Sequence, residues 1–260
     1  MAKIQHEEFT CYREGLKIRG TMYKPEGNGP FPTIIVSHEF MMNRLTTKRY
    51  ARMYAKMGYA AFCYDFNGGG TISQSQGKTT DMSVLTEVKD LKAVMDYVKA
   101  LPYTDNSNLN LHGCSQGGFV SALVAAEYGP EEIKKLILFY PALSIPDDAR
   151  KGSMILAKFD PADVPKRLFC GPIILGRQYV LDVLDMDPFA LISKYKGPVF
   201  LTHGTADHIV AYEYAERAYE AYKAAGADVT FLPIKFGEHI YPLPNHMRKA
   251  KKAARKFLKS

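Results

Sequence analysis

Long apolar runs are absent from this chain of 260 residues, and none approaches the roughly 20 consecutive apolar residues needed to cross a bilayer. Residues 1–10 are polar and lack the apolar core of a secretory leader. Internal repeats and low-complexity segments are also missing. We therefore expect a globular protein without a membrane span, located in the cytoplasm.

Cysteine is scarce, and the four cysteines lie far apart in the chain. They form no CxxC pair and no Cys/His spacing typical of a zinc site. We expect reduced, mostly buried thiols, no metal and no organic cofactor. The cysteines are Cys11, Cys63, Cys114 and Cys170.

Acidic residues are missing from residues 248–260, which contain seven Lys and Arg and so account for the formal net charge of +7. Apolar residues recur through the same segment at helical spacing. The pattern predicts a C-terminal helix whose basic face is solvated, in preference to a membrane-surface or nucleic-acid patch. No nucleic-acid partner is expected. The apolar positions are Met247, Ala250, Ala254, Phe257 and Leu258.

Strand and helix patterns alternate along most of the chain. Residues 7–24 alternate around Glu14-Gly15, which predicts an N-terminal antiparallel hairpin. The repeated βα pattern that follows predicts an α/β fold with a mostly parallel central sheet flanked by helices. The predicted strands are 33–37, 59–66, 108–112, 135–140, 198–202 and 229–234, and the predicted helices are 47–57, 81–98, 116–127, 211–224 and the basic C-terminal segment.

The alternation stops at Pro141 and resumes near Pro198, after a stretch of mixed turn signals. Such a stretch fits a small inserted lid better than another βα unit. We predict that residues 1–140 and 188–260 form the core and that residues 141–187 form an inserted subdomain that binds substrate.

Residues 113–117 read Gly-Cys-Ser-Gln-Gly, a Gly-x-Ser-x-Gly pattern with Ser115 at its centre. It follows a predicted strand and opens a predicted helix, as the turn that exposes a nucleophilic serine requires. The alternative is a glycine-rich helix N-terminus that Ser115 only caps. We favour the nucleophile.

A serine nucleophile needs a base, and that base follows the serine in the chain order of this strand–turn–helix motif. Four histidines lie downstream of Ser115. His239 fits best because it lies in the loop directly after the strand 229–234. His203 ends a strand and His246 begins the last helix, where a buried or capping histidine is the default. The fourth is His208.

The base in turn needs an orienting acid. Asp207 lies in the loop after the strand 198–202, and ligand chemistry collects at the carboxyl ends of strands in open α/β sheets. Asp187 and Asp228 are its rivals, but the first belongs to the insertion and the second precedes a strand. Asp207 acting only as a turn former is the remaining alternative.

Two backbone amides are needed to stabilise the oxyanion that forms during acyl transfer. The amide of Gln116 directly follows the nucleophile at a helix N-terminus. The second donor comes from the loop after the strand 33–37, where we select the amide of Phe40. This choice concerns the amide, because the Phe40 side chain is free to pack.

The order Phe40, Ser115, Asp207 and His239, with the insertion before Asp207, resembles the bacterial cinnamoyl or feruloyl esterases of the α/β-hydrolase superfamily, which are similar to monoacylglycerol-lipase-like enzymes. The resemblance covers nearly the whole chain. The motifs that support it are Tyr64-Asp65-Phe66-Asn67-Gly68, Ser75-Gln76-Gly77-Lys78, Ser115-Gln116-Gly117-Gly118, Tyr140-Pro141-Ala142 and His203-Gly204-Thr205-Ala206-Asp207.

The resemblance also implies a substrate class. In that family an acid and a tyrosine of the insertion hold the phenolic hydroxyl of a hydroxycinnamoyl group, and the matching positions here are Asp148 and Tyr179. The alternative without a substrate role is that Asp148 is a solvated turn residue and that Tyr179 packs in the core of the lid. This chain departs from the family pattern at Glu39, Cys114 and Gly69, where the family commonly has glycine, histidine and histidine.

These observations predict a serine carboxylesterase that acts on small-molecule esters, with hydroxycinnamoyl esters favoured. Short-chain acyl esters or monoacylglycerols are the alternative substrates, and a peptide-like amide is a further one. A catalytically inactive binding protein on the same fold is the alternative of another class. A homodimer is left open.

Overall fold

Eight strands form one central sheet in the computed structural model, which describes residues 3–260. These residues contain twelve strands: β1 (Ile4–Arg13), β2 (Leu16–Pro25), β3 (Phe31–Ser37), β4 (Ala60–Tyr64), β5 (Thr104–Cys114), β6 (Ile133–Phe139), β7 (Ser153–Met154), β8 (Ala157–Lys158), β9 (Arg167–Phe169), β10 (Ile174–Gly176), β11 (Val199–Gly204) and β12 (Val229–Ile234). The order across the central sheet is β1-β2-β4-β3-β5-β6-β11-β12.

The sheet is mostly parallel, as predicted. Every neighbouring pair from β4 across to β12 is parallel, whereas β1 and β2 form an antiparallel hairpin and β2 pairs antiparallel with β4. The hairpin turns at Glu14 and Gly15, both of which have positive φ. The predicted N-terminal hairpin is therefore confirmed.

Eight α-helices accompany the strands in the described residues. They are α1 (Arg44–Ala55), α2 (Val84–Lys99), α3 (Gln116–Glu132), α4 (Ile145–Arg150), α5 (Gln178–Leu181), α6 (Pro188–Ile192), α7 (Glu213–Ala224) and α8 (Pro244–Lys259), and a 3-10 helix spans Thr79–Asp81. The last turn of α3 is separated by a kink at Gly129, which precedes Pro130. A proline cannot donate the helical hydrogen bond at that point.

Helices cover both faces of the sheet. Successive residues of a strand point to opposite faces, so Ile34 and Val36 of β3 belong to the buried cluster that includes residues of α1 and α8, whereas Ile35 belongs to the cluster that includes residues of α2, α3 and α7. This explains why β3 is apolar throughout. The helix layers leave uncovered the loops at the carboxyl ends of the parallel strands of the central sheet. The candidate active site lies in these loops.

Several helix boundaries differ from the prediction: α1 spans 44–55 in place of 47–57, α3 ends at 132 in place of 127, and α7 begins at 213 in place of 211. The start of α2 also differs. Residues 79–81 form the 3-10 helix, and α2 begins only at Val84. Ser83 is the N-cap: its hydroxyl accepts from the Thr86 amide, and the Thr86 hydroxyl accepts from the Ser83 amide. This reciprocal capping satisfies two amides that a start at Asp81 would leave without partners.

The segment 141–187 contains only short elements, from α4 to α5, and its four strands form two separate two-stranded sheets. It packs on the loop that precedes α2, where the Thr79 hydroxyl donates to the Ile174 carbonyl at 2.6 Å and the Ser83 hydroxyl donates to Asp182. The segment lies between β6 and α6. Its role as a lid stays a prediction.

The cysteine and charge predictions can be compared directly with the structure. All four cysteines are free and buried. In α8 the apolar positions Ala250, Ala254, Phe257 and Leu258 are buried, and most of the basic side chains are exposed, as predicted. Among residues 3–260, no helix combines the length and apolar character required to span a membrane.

Candidate active site

Ser115 lies in a sharp turn between β5 and α3. Its φ of 52° falls in the left-handed region, which is rare for a residue with a side chain and marks a locally strained backbone. A Cβ at Gly113 would lie 2.1 Å from the Gly117 carbonyl oxygen, and one at Gly117 would lie 2.4 Å from the His38 carbonyl oxygen. Only glycine fits at these two positions, because any side chain would push β5, α3 and the loop after β3 apart.

A chain of hydrogen bonds joins Ser115 to the loops after β12 and β11. The Ser115 Oγ lies 3.0 Å from His239 Nε2, and His239 Nδ1 lies 2.7 Å from Asp207 Oδ2. With Nδ1 protonated and donating to the carboxylate, Nε2 is free to accept the serine proton. The structure thus brings together the three side chains that the sequence selected.

Asp207 is held by four donors. The amides of Ile209 and Val210 donate to Oδ1 at 2.9 and 3.0 Å, and His203 Nε2 lies 3.0 Å from Oδ2, which also receives His239. Burial opposes ionisation of this carboxyl group, but the hydrogen bonds from His203 and His239 outweigh it and hold the pKa of Asp207 well below its ordinary value. Asp207 is therefore ionised at neutral pH.

His203 is a contact of the acid that sequence reasoning missed. It is fully buried at the end of β11, and its Nε2 also lies 2.9 Å from the Val210 carbonyl oxygen. The spacing of four residues between His203 and Asp207 across a turn was the available signal. Its other ring nitrogen, Nδ1, has no hydrogen-bond partner in the described residues.

The loop after β3, which carries one candidate oxyanion donor, lies close to the nucleophile turn, which carries the other, since a Cβ at Gly117 would lie 2.4 Å from the His38 carbonyl oxygen. Gln116 is the first residue of α3, so its amide has no helical acceptor, and the amide of Phe40 lies in the loop after β3. Within residues 3–260, neither amide donates to a backbone acceptor. Both are therefore available to an oxygen bound near Ser115.

His38 fixes the loop that carries Phe40. Its Nδ1 lies 2.7 Å from the Glu39 carbonyl oxygen, and its Nε2 accepts from the Phe66 amide at 3.1 Å. Burial lowers the pKa of His38, which keeps the ring neutral. A neutral ring with one donor and one acceptor nitrogen satisfies both contacts. Sequence reasoning assigned no role to this residue.

Glu39 is one of the departures from the family pattern, and its side chain contacts polar neighbours. It is buried, and its carboxylate accepts from the Tyr140 hydroxyl at 3.1 Å and from the Thr46 hydroxyl at 2.9 Å. The Tyr140 ring packs on the His239 imidazole, with 4.9 Å between centroids. Glu39 thus acts on the site through Tyr140.

The predicted substrate residues occupy different positions in the insertion. Asp148 is half-buried in α4, where the Ser144 hydroxyl donates to it at 2.8 Å, and burial raises the pKa of its carboxyl group. Tyr179 is buried in α5, and its hydroxyl donates to the side-chain carbonyl of Gln116. The same Gln116 side chain donates to Glu87 of α2 at 2.7 Å, a buried acid that sequence reasoning also missed.

The other residues considered as base or acid take no part in the hydrogen-bond chain from Ser115 through His239 to Asp207. Asp187 caps α6 by accepting from the amides of Phe189 and Ala190, and Asp228 is exposed at the turn before β12. His208 is exposed beside Asp207, and His246 lies in α8. In residues 3–260, no cluster of three or more His, Cys, Asp or Glu is arranged to hold a metal ion.

Comparison with known proteins identifies relatives of this chain. Residues 29–187 match the Hydrolase_4 family, described as serine aminopeptidase, S33. The uncharacterized protein YqkD of Bacillus subtilis is 25% identical over 233 residues, which cover 87% of this chain and 70% of YqkD. Rat acylamino-acid-releasing enzyme is 25% identical over 227 residues, which cover 85% of this chain but only 29% of that enzyme.

A solved structure of Est1E from Butyrivibrio proteoclasticus with bound ferulic acid is similar over the whole fold. The TM-score is 0.84 at 26% sequence identity, and the match covers 97% of this chain and all of that chain. These findings confirm the α/β-hydrolase fold and the family resemblance that the sequence predicted. The chain belongs to the Hydrolase_4 family of serine hydrolases.

Proposed function

We propose that this protein is a serine carboxylesterase that works through an acyl-enzyme, with Ser115 as nucleophile, His239 as base and Asp207 as orienting acid. The observation that supports this most directly is the unbroken hydrogen-bond chain from Ser115 Oγ through both nitrogens of His239 to Asp207. A serine hydroxyl is a weak nucleophile unless a base is positioned to take its proton.

The proposed reaction follows from this geometry. Ser115 Oγ attacks the ester carbonyl carbon as His239 Nε2 takes its proton, and the ionised Asp207 stabilises the imidazolium. The carbonyl oxygen becomes an oxyanion that accepts hydrogen bonds from the backbone amides of Phe40 and Gln116. His239 then protonates the departing alkoxide, so the C–O bond breaks and the alcohol leaves.

The second half of the cycle repeats these steps with water. His239 Nε2 takes a proton from water as its oxygen attacks the acyl-enzyme, and returns that proton to Ser115 Oγ as the acid leaves. Every group involved belongs to the loops at the carboxyl ends of β3, β5, β11 and β12. The reaction as proposed uses no cofactor.

We further propose hydroxycinnamoyl esters as the substrate class. The similarity to Est1E, which binds ferulic acid, supports this choice. Asp148 offers a carboxyl oxygen that accepts a hydrogen bond from the phenolic hydroxyl, because Ser144 donates to Oδ2 and, within residues 3–260, no side chain donates to Oδ1. The resemblance matched Tyr179 to the second phenol-binding position, but its hydroxyl already donates to Gln116, so the proposed phenol contact rests on Asp148.

The test is the hydrolysis of methyl ferulate beside a short-chain monoacylglycerol, with Ser115→Ala as the blank for both. A kcat/KM at least about tenfold higher for the ferulate supports the phenolic substrate. A preference for the glyceride retains the proposed chemistry and rejects the substrate class. Turnover of either ester by Ser115→Ala at the wild-type rate would refute the mechanism.

An amide substrate is the second candidate, favoured by the family description and by the acylamino-acid-releasing enzymes. Hydrolysis of N-acetylalanine p-nitroanilide at a higher kcat/KM than that of both esters would establish it. The inactive binding protein makes the opposite prediction, because it would turn over none of these compounds and Ser115 would not react with a fluorophosphonate.

A further inference from the structure

A groove of about 1010 Å³ runs between α1 and α8, away from Ser115. Seven Lys and Arg side chains line it, three from α1 or the turn that follows and four from α8, and its half-buried lining includes Met53, Met57 and Met247. The lining positions recur at intervals of three and four residues on each helix, so each helix presents one continuous stripe. The sequence showed the basic face of α8 but not its partner.

The positive charges of this groove are not neutralised within the described protein. None of the seven cations forms an ion pair in residues 3–260, and neither α1 nor α8 contains an Asp or Glu. Elsewhere in the fold, basic side chains such as Arg13 and Arg44 pair with buried acids. The groove is therefore a concentrated positive field with an apolar floor.

Cations from opposite walls meet at one aromatic ring. The Arg49 guanidinium lies 4.9 Å and the Lys251 ammonium 5.9 Å from the centroid of the Tyr50 ring. Burial lowers the pKa of Lys251, and the charges of Arg49 and Arg255 lower it further. Like charges held this closely are stabilised when an anion binds between them.

We propose that the α1–α8 groove binds an organic phosphate whose multiply charged head contacts Arg49, Lys251 and Arg255 and whose apolar body lies on the methionines. Guanidinium groups match phosphate oxygens in a bidentate geometry. Methionine side chains adapt to apolar ligands of irregular shape. The volume is at the upper end of that of small-molecule sites.

The same features favour a small molecule over two larger partners. A nucleic acid that binds by base stacking needs exposed aromatic rings, but the residues that line the groove are not aromatic and the neighbouring Tyr50 ring is buried. A bilayer surface needs an outward apolar helix face, whereas the apolar face of α8 is buried against the sheet. A concave floor suits an enclosed ligand.

Isothermal titration of the full chain tests this site. The probes are S-decyl coenzyme A, a thioether without a cleavable ester, coenzyme A and inorganic triphosphate, each at 50 and 150 mM salt. We expect saturable binding that is tightest for the decyl compound and weakens with salt. The double substitution Arg49→Gln/Lys251→Gln should weaken binding by about tenfold or more, since two charge-assisted contacts are lost.

The matched control is Arg167→Gln/Lys194→Gln, which removes two exposed charges outside the groove and should change Kd less than about twofold. The proposal is overturned if no probe binds up to 1 mM at the lower salt, or if both double variants weaken binding equally. It is also overturned if a deoxythymidine dodecamer or phosphatidylglycerol vesicles bind and the three probes do not. Ester hydrolysis enters none of these measurements.

A second inference rests on the proposed esterase function and concerns Tyr179. Its hydroxyl donates to the Gln116 side-chain carbonyl, and Gln116 Nε2 donates to Glu87 Oε2 at 2.7 Å. All three side chains are at most 2% exposed. The Tyr179 ring also packs on the Phe40 ring, with 5.9 Å between centroids. Tyr179 therefore contacts both residues whose amides form the proposed oxyanion hole.

We infer that Tyr179 is a positioning residue that holds Gln116 and Phe40 in place, with Glu87 as the opposite anchor of the Gln116 side chain. Its hydroxyl proton is already donated to Gln116, so it is not available to a substrate phenol. Burial raises the pKa of both Tyr179 and Glu87, which keeps the tyrosine a neutral donor. A residue of the insertion thereby sets the geometry of the nucleophile turn.

Tyr179→Phe separates positioning from phenol binding. We expect kcat to fall about tenfold for both methyl ferulate and p-nitrophenyl acetate, which lacks an acyl phenol, with little change in KM. A rise in KM for the ferulate alone would overturn the inference. The acetate tests it even if ferulate proves not to be a substrate, and no hydrolysis of either ester by the wild type would instead refute the proposed function.

Glu87 provides the matched pair of variants. Glu87→Gln keeps an oxygen that accepts from Gln116, so we expect nearly wild-type kcat on p-nitrophenyl acetate. Glu87→Leu removes that acceptor and should lower kcat as Tyr179→Phe does, while thermal unfolding confirms that both variants fold. Equal kcat in the two Glu87 variants would contradict the inference.

Discussion

The carboxyl edge of the central sheet carries Ser115 and Asp207, and the inserted segment 141–187 carries Ser144 and Asp148. The two regions fix their serine and acid to different degrees. Ser115 follows an eleven-residue strand and Asp207 follows a six-residue one, whereas the strands of the insertion have two or three residues. Asp207 receives four hydrogen bonds, and Asp148 receives one from Ser144. Long paired strands fix atoms to the precision that bond-making needs.

The pKa values of the two acids are also shifted in opposite directions. Asp207 is buried yet its pKa is lowered, because the donors around it outweigh the cost of burial. The pKa of Asp148 is raised, because burial acts on it against a single hydroxyl donor. Several fixed donors are needed to lower the pKa of a carboxyl group against the effect of burial. The edge supplies them through the backbone of a turn, and the insertion does not.

The largest expected effect is the loss of the edge serine. Ser115→Ala should lower kcat by roughly a million-fold on any ester substrate, since the nucleophile itself is removed. Ser144→Ala removes the serine of the insertion and should change kcat on p-nitrophenyl acetate less than about threefold, because the Ser144 hydroxyl donates to Asp148 and not to a residue of the proposed triad. If Ser144→Ala lowered kcat as much as Ser115→Ala does, the edge and the insertion would not differ in their contribution to the reaction.

The next effect concerns the edge acid. Asp207→Asn should lower kcat by about 10⁴-fold, because an amide no longer selects the Nδ1-protonated tautomer of His239. Asp148→Asn, measured on the same acetate ester, should retain most of the wild-type kcat. If Asp207→Asn retained more than about a tenth of the wild-type kcat, the role of Asp207 as the orienting acid would be wrong.

A buried histidine near the carboxyl edge, His112, should make the unfolding free energy depend on pH. Burial lowers the pKa of His112, which lies in β5 three residues before Ser115, to about 3, from an ordinary value of 6.5. A lowered histidine pKa contributes stability that is complete above pH 6.5 and is lost as pH falls toward 3. At pH 4.5 this loss amounts to about 2–3 kcal/mol.

Urea unfolding at pH 7 and pH 4.5 checks this expectation. His112→Gln removes the titrating ring and keeps an amide near the Tyr54 hydroxyl, which lies 2.9 Å from His112 Nδ1. The fall in unfolding free energy between the two pH values should be about 2 kcal/mol smaller in the variant than in the wild type. An equal fall in both proteins would rule out His112 as its source.

The smallest expected effect concerns Asp148, the acid of the insertion. Asp148→Ala should raise KM for methyl ferulate by about tenfold, since the hydrogen bond between the phenol and the carboxyl group is lost, and should leave p-nitrophenyl acetate unaffected. Methyl cinnamate, which lacks the hydroxyl, is the matched substrate. Equal changes for the ferulate and the cinnamate would exclude a phenol contact at Asp148.

Much of the fold was predictable because its signals are local. The alternation of residues 7–24 located the hairpin, and the β-branched run at 33–37 located a strand buried on both faces. The start of α2 was misplaced by three residues because Asp81 and Ser83 are both plausible caps, and only the Thr86 contact selects Ser83. Element boundaries depend on such single contacts.

The site was predictable to a different degree. Ser115, Asp207 and His239 were selected because each lies in a loop directly after a strand, a property that the sequence expresses. His38, His203 and Glu87 were missed because their roles depend on contacts with residues distant in the chain or across a turn. Gln116 and Glu87, for example, are 29 positions apart and meet only when α2 packs on α3.

The amino-acid sequence by itself determined the βα order, the glycines that allow the turn at Ser115 and the basic stripe of α8, because each depends on neighbouring residues or on a helical or strand period. Tertiary structure decided which side chains meet. Ser115 and His239 are separated by 124 positions and lie 3.0 Å apart. Likewise, the cations of α8 acquire a ligand-sized groove only beside those of α1, since a charge pattern has no partner until the sheet brings both helices to one face.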